Sequence, residues 1–145
     1  MKKIILTLAI AISSIAAFAS EVNVNAAVLK SFTREFADAE NVNWTAGKSS
    51  YKASFVLNNQ HVTAYYNFDG ELMGLTRNIS SLDLPLGLQT NLKKNYNQYW
   101  ISDLFEVSNQ EGTNYYITLE KANETLVLEA DAQGKWNVYK RISKI

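Results

Sequence analysis

The chain has 145 residues, with 14 Lys and Arg against 14 Asp and Glu, one His and no Cys. The missing cysteine excludes thiol catalysis, thiolate metal sites, disulfides and a cysteine-linked lipid anchor. With no excess of positive charge and no basic stripe, nucleic acid is excluded as an expected partner.

The first residues, "MKKIILTLAIAISSIAAFAS", run from two lysines through an apolar stretch to small residues ending Ala17-Phe18-Ala19. That order is a secretory leader, and its apolar run is short for a membrane span. Cleavage after Ala19 predicts a periplasmic or secreted protein, Ser20–Ile145, of 145 − 19 = 126 residues. Losing Lys2 and Lys3 leaves 12 basic against 14 acidic residues. The remaining length suits one ordinary domain, and no later apolar run is long enough to span a bilayer.

Between Asn25 and Ala39, Val28, Leu29, Phe32 and Phe36 fall at helical spacing, with charged residues mostly opposite. The spacing predicts an amphipathic helix. Four alternating stretches follow: Val42 and Trp44, Tyr51–Leu57, Val62–Phe68 and Leu72–Arg77. Their separators "AGKSS", "NNQ" and "DG" are turn chemistry. Leu88, Leu92 and Tyr96, with Tyr99 or Trp100 beyond, predict a second helix, with Pro85 in its first turn and Asp83 as cap. Strands are then expected around Phe105 and Val107, at Tyr115–Leu119, at Leu126–Ala130 and at Trp136–Ile142.

The second half echoes the first. At an offset of 64, Tyr51 falls on Tyr115, Phe55 on Leu119, Gly70 on Gly134, Leu72 on Trp136 and Arg77 on Arg141. Val42 and Trp44 fall on Phe105 and Val107 at an offset of 63. The expected fold is therefore α+β: two tandem helix-plus-four-strand antiparallel meander units, about 25–82 and 83–145, with both helices on one face of the sheet. A half of this size buries too little surface alone, so a shared core is expected.

Strand parity divides the sheet. Tyr51, Ala53, Phe55, Leu57, Val62, Ala64, Tyr66, Phe68, Tyr115, Ile117, Leu119, Leu126, Leu128 and Ala130 form the more apolar set, and with Leu72, Trp136 and Val138 they are expected under the helices. The opposite parity holds polar residues among Tyr65, Met73, Leu75, Arg77, Tyr116, Tyr139 and Arg141. Tyr65, Met73, Tyr116, Tyr139 and Arg141 are the candidate binding residues, because tyrosine and arginine supply contact area with a polar end. Tyrosine is also simply a good strand former, and scattered exposed apolar side chains are ordinary.

Catalytic chemistry is not legible. His61 lies in the "NNQH" turn, and no nucleophile elbow or nucleotide loop occurs. The pairs Glu129 with Asp131 and Asp69 with Glu71 lack the ligand pattern of a calcium loop and the facing geometry of a glycosidase. No catalytic residue, metal site or cofactor is assigned.

The order of leader, "VLKSFTREFADAENVNW", "YKASFVLNNQHVTAYYNFDGELM" and "LPLGLQTNLKKNYNQYW" resembles the PepSY-like, beta-lactamase-inhibitor-like (BLIP-like) proteins exported by Bacteroidetes. The resemblance spans Val28–Ile142, although Gln133-Gly134 replaces the aspartate-glycine turn in the second half. It implies a non-catalytic, envelope-located protein-binding module that inhibits or regulates a peptidase or hydrolase, or serves envelope sensing. The alternative is a small-ligand carrier with a pocket lined by Trp44, Phe55 and Tyr66.

Overall fold

The computed structural model describes residues 22–131 and 133–145, so the expected leader lies outside the described residues. In chain order the elements are α1 (Ala26–Glu35), β1 (Glu40–Ala46), β2 (Tyr51–Leu57), β3 (Gln60–Tyr66), β4 (Leu72–Asn78), a short 3-10 turn (Ser81–Asp83), α2 (Leu86–Asn95), β5 (Trp100–Asn109), β6 (Gly112–Lys121), β7 (Glu124–Asp131) and β8 (Trp136–Ser143). The eight strands form a single open sheet in sequence order, every neighbour antiparallel. The fold is α+β.

Local chemistry explains the punctuation. The Asn25 side chain accepts from the Val28 amide at 3.0 Å and caps α1, while its own amide donates to the Phe68 carbonyl at 2.7 Å. Asn58 and Asn59 take positive φ values of 50° and 63° in the β2–β3 hairpin, as a mirror-image turn requires. Asp83 does not cap α2. Its carboxylate instead accepts from the Ser80 amide at 2.8 Å, closing a capping box on the 3-10 turn, and Pro85 precedes α2.

Among the described residues the buried apolar side chains form two clusters instead of the shared core expected. One joins Val28 and Phe32 of α1 to Ala53, Phe55, Ala64 and Tyr66. The other joins Leu88 and Leu92 of α2 to Leu104, Ile117, Leu119, Leu126, Leu128 and Trp136. Leu29 stays 42% exposed, because the α1 contact stripe is narrow and Leu29 lies one step round from Val28.

Register explains the division. A continuous row of facing residues crosses seven strands: Phe55, Val62, Arg77, Glu106, Tyr115, Ala130 and Trp136. Facing residues share a sheet face, so this row passes from the first cluster to the second. Between them stand Arg77 and Glu106, joined by two hydrogen bonds of 2.9 and 3.4 Å. An ion pair thus occupies the seam where a shared core would have been continuous.

Arg77 and Leu75 were expected on the opposite face. Tyr65 faces Gly74 and Tyr66 faces Leu72, so Met73 is the extra residue of a bulge. One inserted residue reverses the parity of the strand beyond it, and Leu75 and Arg77 turn to the side of Ala64 and Val62. A second bulge at Tyr139 does the same to Arg141, which faces buried Leu126. Val138 faces Leu128 yet stays 52% exposed on the edge strand, and Phe68, beyond the end of β3, is 44% exposed.

A further bulge in β5 lies between Ile101 and Asp103. As a result Leu104 faces Ile117 as Trp44 faces Ala53, so the register counterpart of Trp44 is Leu104 and not Val107. The offset there is 104 − 44 = 60, shared with Val28 to Leu88 and Phe32 to Leu92 in the helices.

Candidate functional site

The face away from the two clusters carries a second row: Asn78, Phe105, Tyr116, Glu129 and Asn137. Its centre is aromatic. Phe105 stacks on Tyr116 with centroids 5.3 Å apart and planes 13° apart, and Tyr139 meets Tyr116 edge-on at 5.7 Å. The β8 bulge makes the Tyr139 contact possible, since it frees that residue from the ladder. Offset and edge-to-face pairs of this kind add to the area the rings cover.

One hydrogen bond fixes the centre of the group. The Tyr116 hydroxyl donates to Glu129 Oε1 at 2.7 Å. Burial, together with the neighbouring carboxylate, pushes the Tyr116 phenol well above its ordinary value, so it remains a protonated donor. Tyr139 remains 46% exposed and presents its ring to solvent. The arrangement offers a ring surface with one fixed carboxylate. It has no nucleophile and base within reach of each other, and among the described residues no acidic or histidine cluster could hold a metal.

The candidate residues are not all gathered here. Tyr116 and Tyr139 meet; Tyr65 lies on the same face opposite Lys52 and Gly74, its phenol also raised by burial. Met73 lies at the end of the sheet in a shallow hollow with Asn109, Gln110 and Glu111. Arg141 belongs to the other face, where it pairs with Glu124; Glu124 also accepts from the Tyr99 hydroxyl at 2.5 Å and meets Lys121 Nζ at 3.1 Å. Phe105 and Glu129 were missed as site residues. The signal for Phe105 was its strand position, which becomes meaningful only when β5 is paired with β6.

His61 lies within β3 opposite Val56, not in the turn, and is exposed. With Asn43, Ser54, Thr63, Thr76 and Asn78, and with the apolar Phe55, Val56 and Val62, it borders a hollow of about 330 Å³. The pocket expected among Trp44, Phe55 and Tyr66 is filled. The Phe32 ring lies 5.1 Å from Trp44, 5.1 Å from Phe55 and 6.4 Å from Tyr66.

No family profile matches the chain, and no curated protein matches it significantly. Solved structures do. A BLIP-like protein from Bacteroides fragilis NCTC 9343 superposes with a TM-score of 0.71 at 14% identity, over 84% of this chain and 87% of that one. A DUF2874 family protein from Bacteroides ovatus ATCC 8483 gives 0.74 at 16% identity, over 84% and 89%. A protein inferred to be periplasmic, from Bacteroides eggerthii DSM 20697, gives 0.74 at 14%, over 84% and 90%. At such identities the likeness is one of fold, and the fold is BLIP-like. Among the described residues no helix is long and apolar enough to cross a membrane.

Proposed function

We propose that the chain is a non-catalytic, exported protein-binding module that docks a partner on the open sheet face around Phe105, Tyr116 and Tyr139. The carrying observation is the Phe105–Tyr116–Tyr139 group, ordered by stacking and by Glu129 on a face that neither core cluster uses. Aromatic side chains with a polar end are the usual energetic centre of a protein interface. Tyr65 extends the surface; Met73 lies at its end. We leave Arg141 out of this surface, since it pairs with Glu124 on the other face of the sheet.

Our reading of the architecture is two repeated units, about 25–82 and 83–145, with both helices behind one sheet. The row from Phe55 to Trp136 supports it, because each end belongs to a cluster built on a different helix. The partner class we infer is an envelope peptidase or hydrolase that the module inhibits or regulates. The BLIP-like and periplasmic descriptions of the structural neighbours support this reading, as does the leader-like start of the chain, with processing near Ala19.

The test is site-directed photo-crosslinking in the native envelope, with a crosslinker at position 139 and a control at Leu29 on the outer side of α1. A discrete adduct at 139, absent at 29 and lost on Tyr116→Ala at unchanged melting temperature, supports the reading. Equal adducts at both positions, or an adduct indifferent to Tyr116→Ala, overturn it.

A further inference from the structure

We propose that the cleft beside α2 is a second binding site, taking a medium-chain aliphatic carboxylate. The cleft holds about 260 Å³. Ile101 and its facing residue Leu119 line it from the sheet, Leu92 of α2 and Tyr96 at the end of that helix line it from the helix side, and Tyr99 and Leu82 complete the lining.

The first half supplies an internal control. The counterparts of Leu92 and Tyr96 at an offset of 60 are Phe32 and Phe36, and the counterpart of Leu119 at 64 is Phe55. There the three rings close on one another at 5.5, 5.1 and 4.9 Å. In the second half two of the three positions hold leucine, and the space stays open. Protein interiors are normally close-packed, so an apolar hollow beside the same helix and strand elements that are filled in the other half marks a place for a ligand group.

The wall is held without a ligand. Gln89 Nε2 donates to the Leu82 carbonyl at 3.2 Å and to the Leu84 carbonyl at 2.8 Å, fixing the loop that carries Leu82. Leu82 is nevertheless 80% exposed and Ile101 43% exposed, so apolar surface lines an open mouth. The chemistry of the rim gives the head group. Lys93 borders the cleft and makes no ion pair among the described residues, and no carboxylate lines the space. An apolar tail is thus drawn in by Leu82, Leu92, Ile101 and Leu119, and an anion is matched by Lys93. The volume falls just short of the usual range of ligand pockets, about 300 Å³ upward, which argues against a long-chain tail.

The experiment titrates the chain Ser20–Ile145 with octanoate, and with octanol as uncharged control, following leucine and isoleucine methyl resonances. Saturable shifts at Leu82, Leu92, Ile101 and Leu119 are expected. Octanol, or Lys93→Met with octanoate, should bind about tenfold more weakly, the loss of one charge-assisted contact. Leu119→Phe, which restores the first-half filling, should abolish binding. Leu82→Asp, at an exposed position whose change leaves the core intact, should weaken it as well, so the outcome does not rest on a core variant alone. Absence of saturable shifts, equal affinity for octanol, undiminished binding by Leu82→Asp, or shifts centred on Phe105 and Tyr116 would overturn the proposal.

Discussion

Two glycines separate what a residue demands of its backbone from what its neighbours demand of it. Gly70 and Gly134 both take positive φ, 89° and 95°, where a side chain costs about 1–2 kcal/mol. Only Gly70 is also crowded. A Cβ there would lie 2.8 Å from the Ala27 carbonyl oxygen at the start of α1, whereas at Gly134 it meets nothing within 4 Å. Gly70→Ala is therefore expected to cost about 3 kcal/mol and Gly134→Ala about 1, read as shifts in the urea midpoint at unchanged slope. Equal costs would show that the turn of the first half does not rest on α1. The sequence places a glycine in both turns; that one of them abuts a helix is a consequence of the packing alone.

At the scale of elements, the strands and helices were legible because hydrophobic period and turn residues are local signals. The bulges were not. Each depends on how two strands are paired, and the one in β8 reversed the facing of a candidate site residue, Arg141. That displacement puts Arg141 to structural use: Glu124 on β7 gathers Arg141 from edge strand β8, Lys121 and the Tyr99 hydroxyl. The Tyr99 hydrogen bond, then Lys121 and Arg141, hold the Glu124 carboxyl below its ordinary value of 4.5. A lowered folded value means that the ionised form stabilises the fold. That contribution is fully present above pH 4.5 and is lost as the pH falls through the lower folded value. Glu124→Gln should therefore melt at a lower temperature than the parent at pH 7. The gap should close on acidification, and β8 amides should exchange faster. A gap independent of pH would refute the charge account.

Across the whole molecule, the seam between the two clusters is polar and short: β4 and β5 pair from Leu75 to Asn78 and from Phe105 to Ser108, with one further backbone bond from the Ile79 amide to the Leu104 carbonyl at 3.1 Å. Arg77 is 39% and Glu106 17% exposed at the side chain, so the pair is partly screened. Arg77→Met leaves Glu106 without its partner and should cost about 1–2 kcal/mol, less than a fully buried pair would. Hydrogen exchange should then speed up across β4 and β5 before β2 and β3. The double variant Arg77→Met with Glu106→Leu should recover the loss, since it leaves no charge unpaired. Uniform acceleration over the sheet would show that the seam is not the weaker joint.

The order of elements, their types and the α+β class come from sequence alone, because periodicity, caps and turn chemistry act over a few residues. The sequence also indicated that the helix-and-meander pattern recurs, since the offset of 64 is visible in the residues themselves. The face each side chain occupies after a bulge, the separation of two clusters by Arg77 and Glu106, and the gathering of Phe105, Tyr116, Tyr139 and Glu129 were decided by tertiary structure. The reason is that a strand's pairing register is a relation between distant segments, and one extra residue in it turns every later side chain to the other side of the sheet.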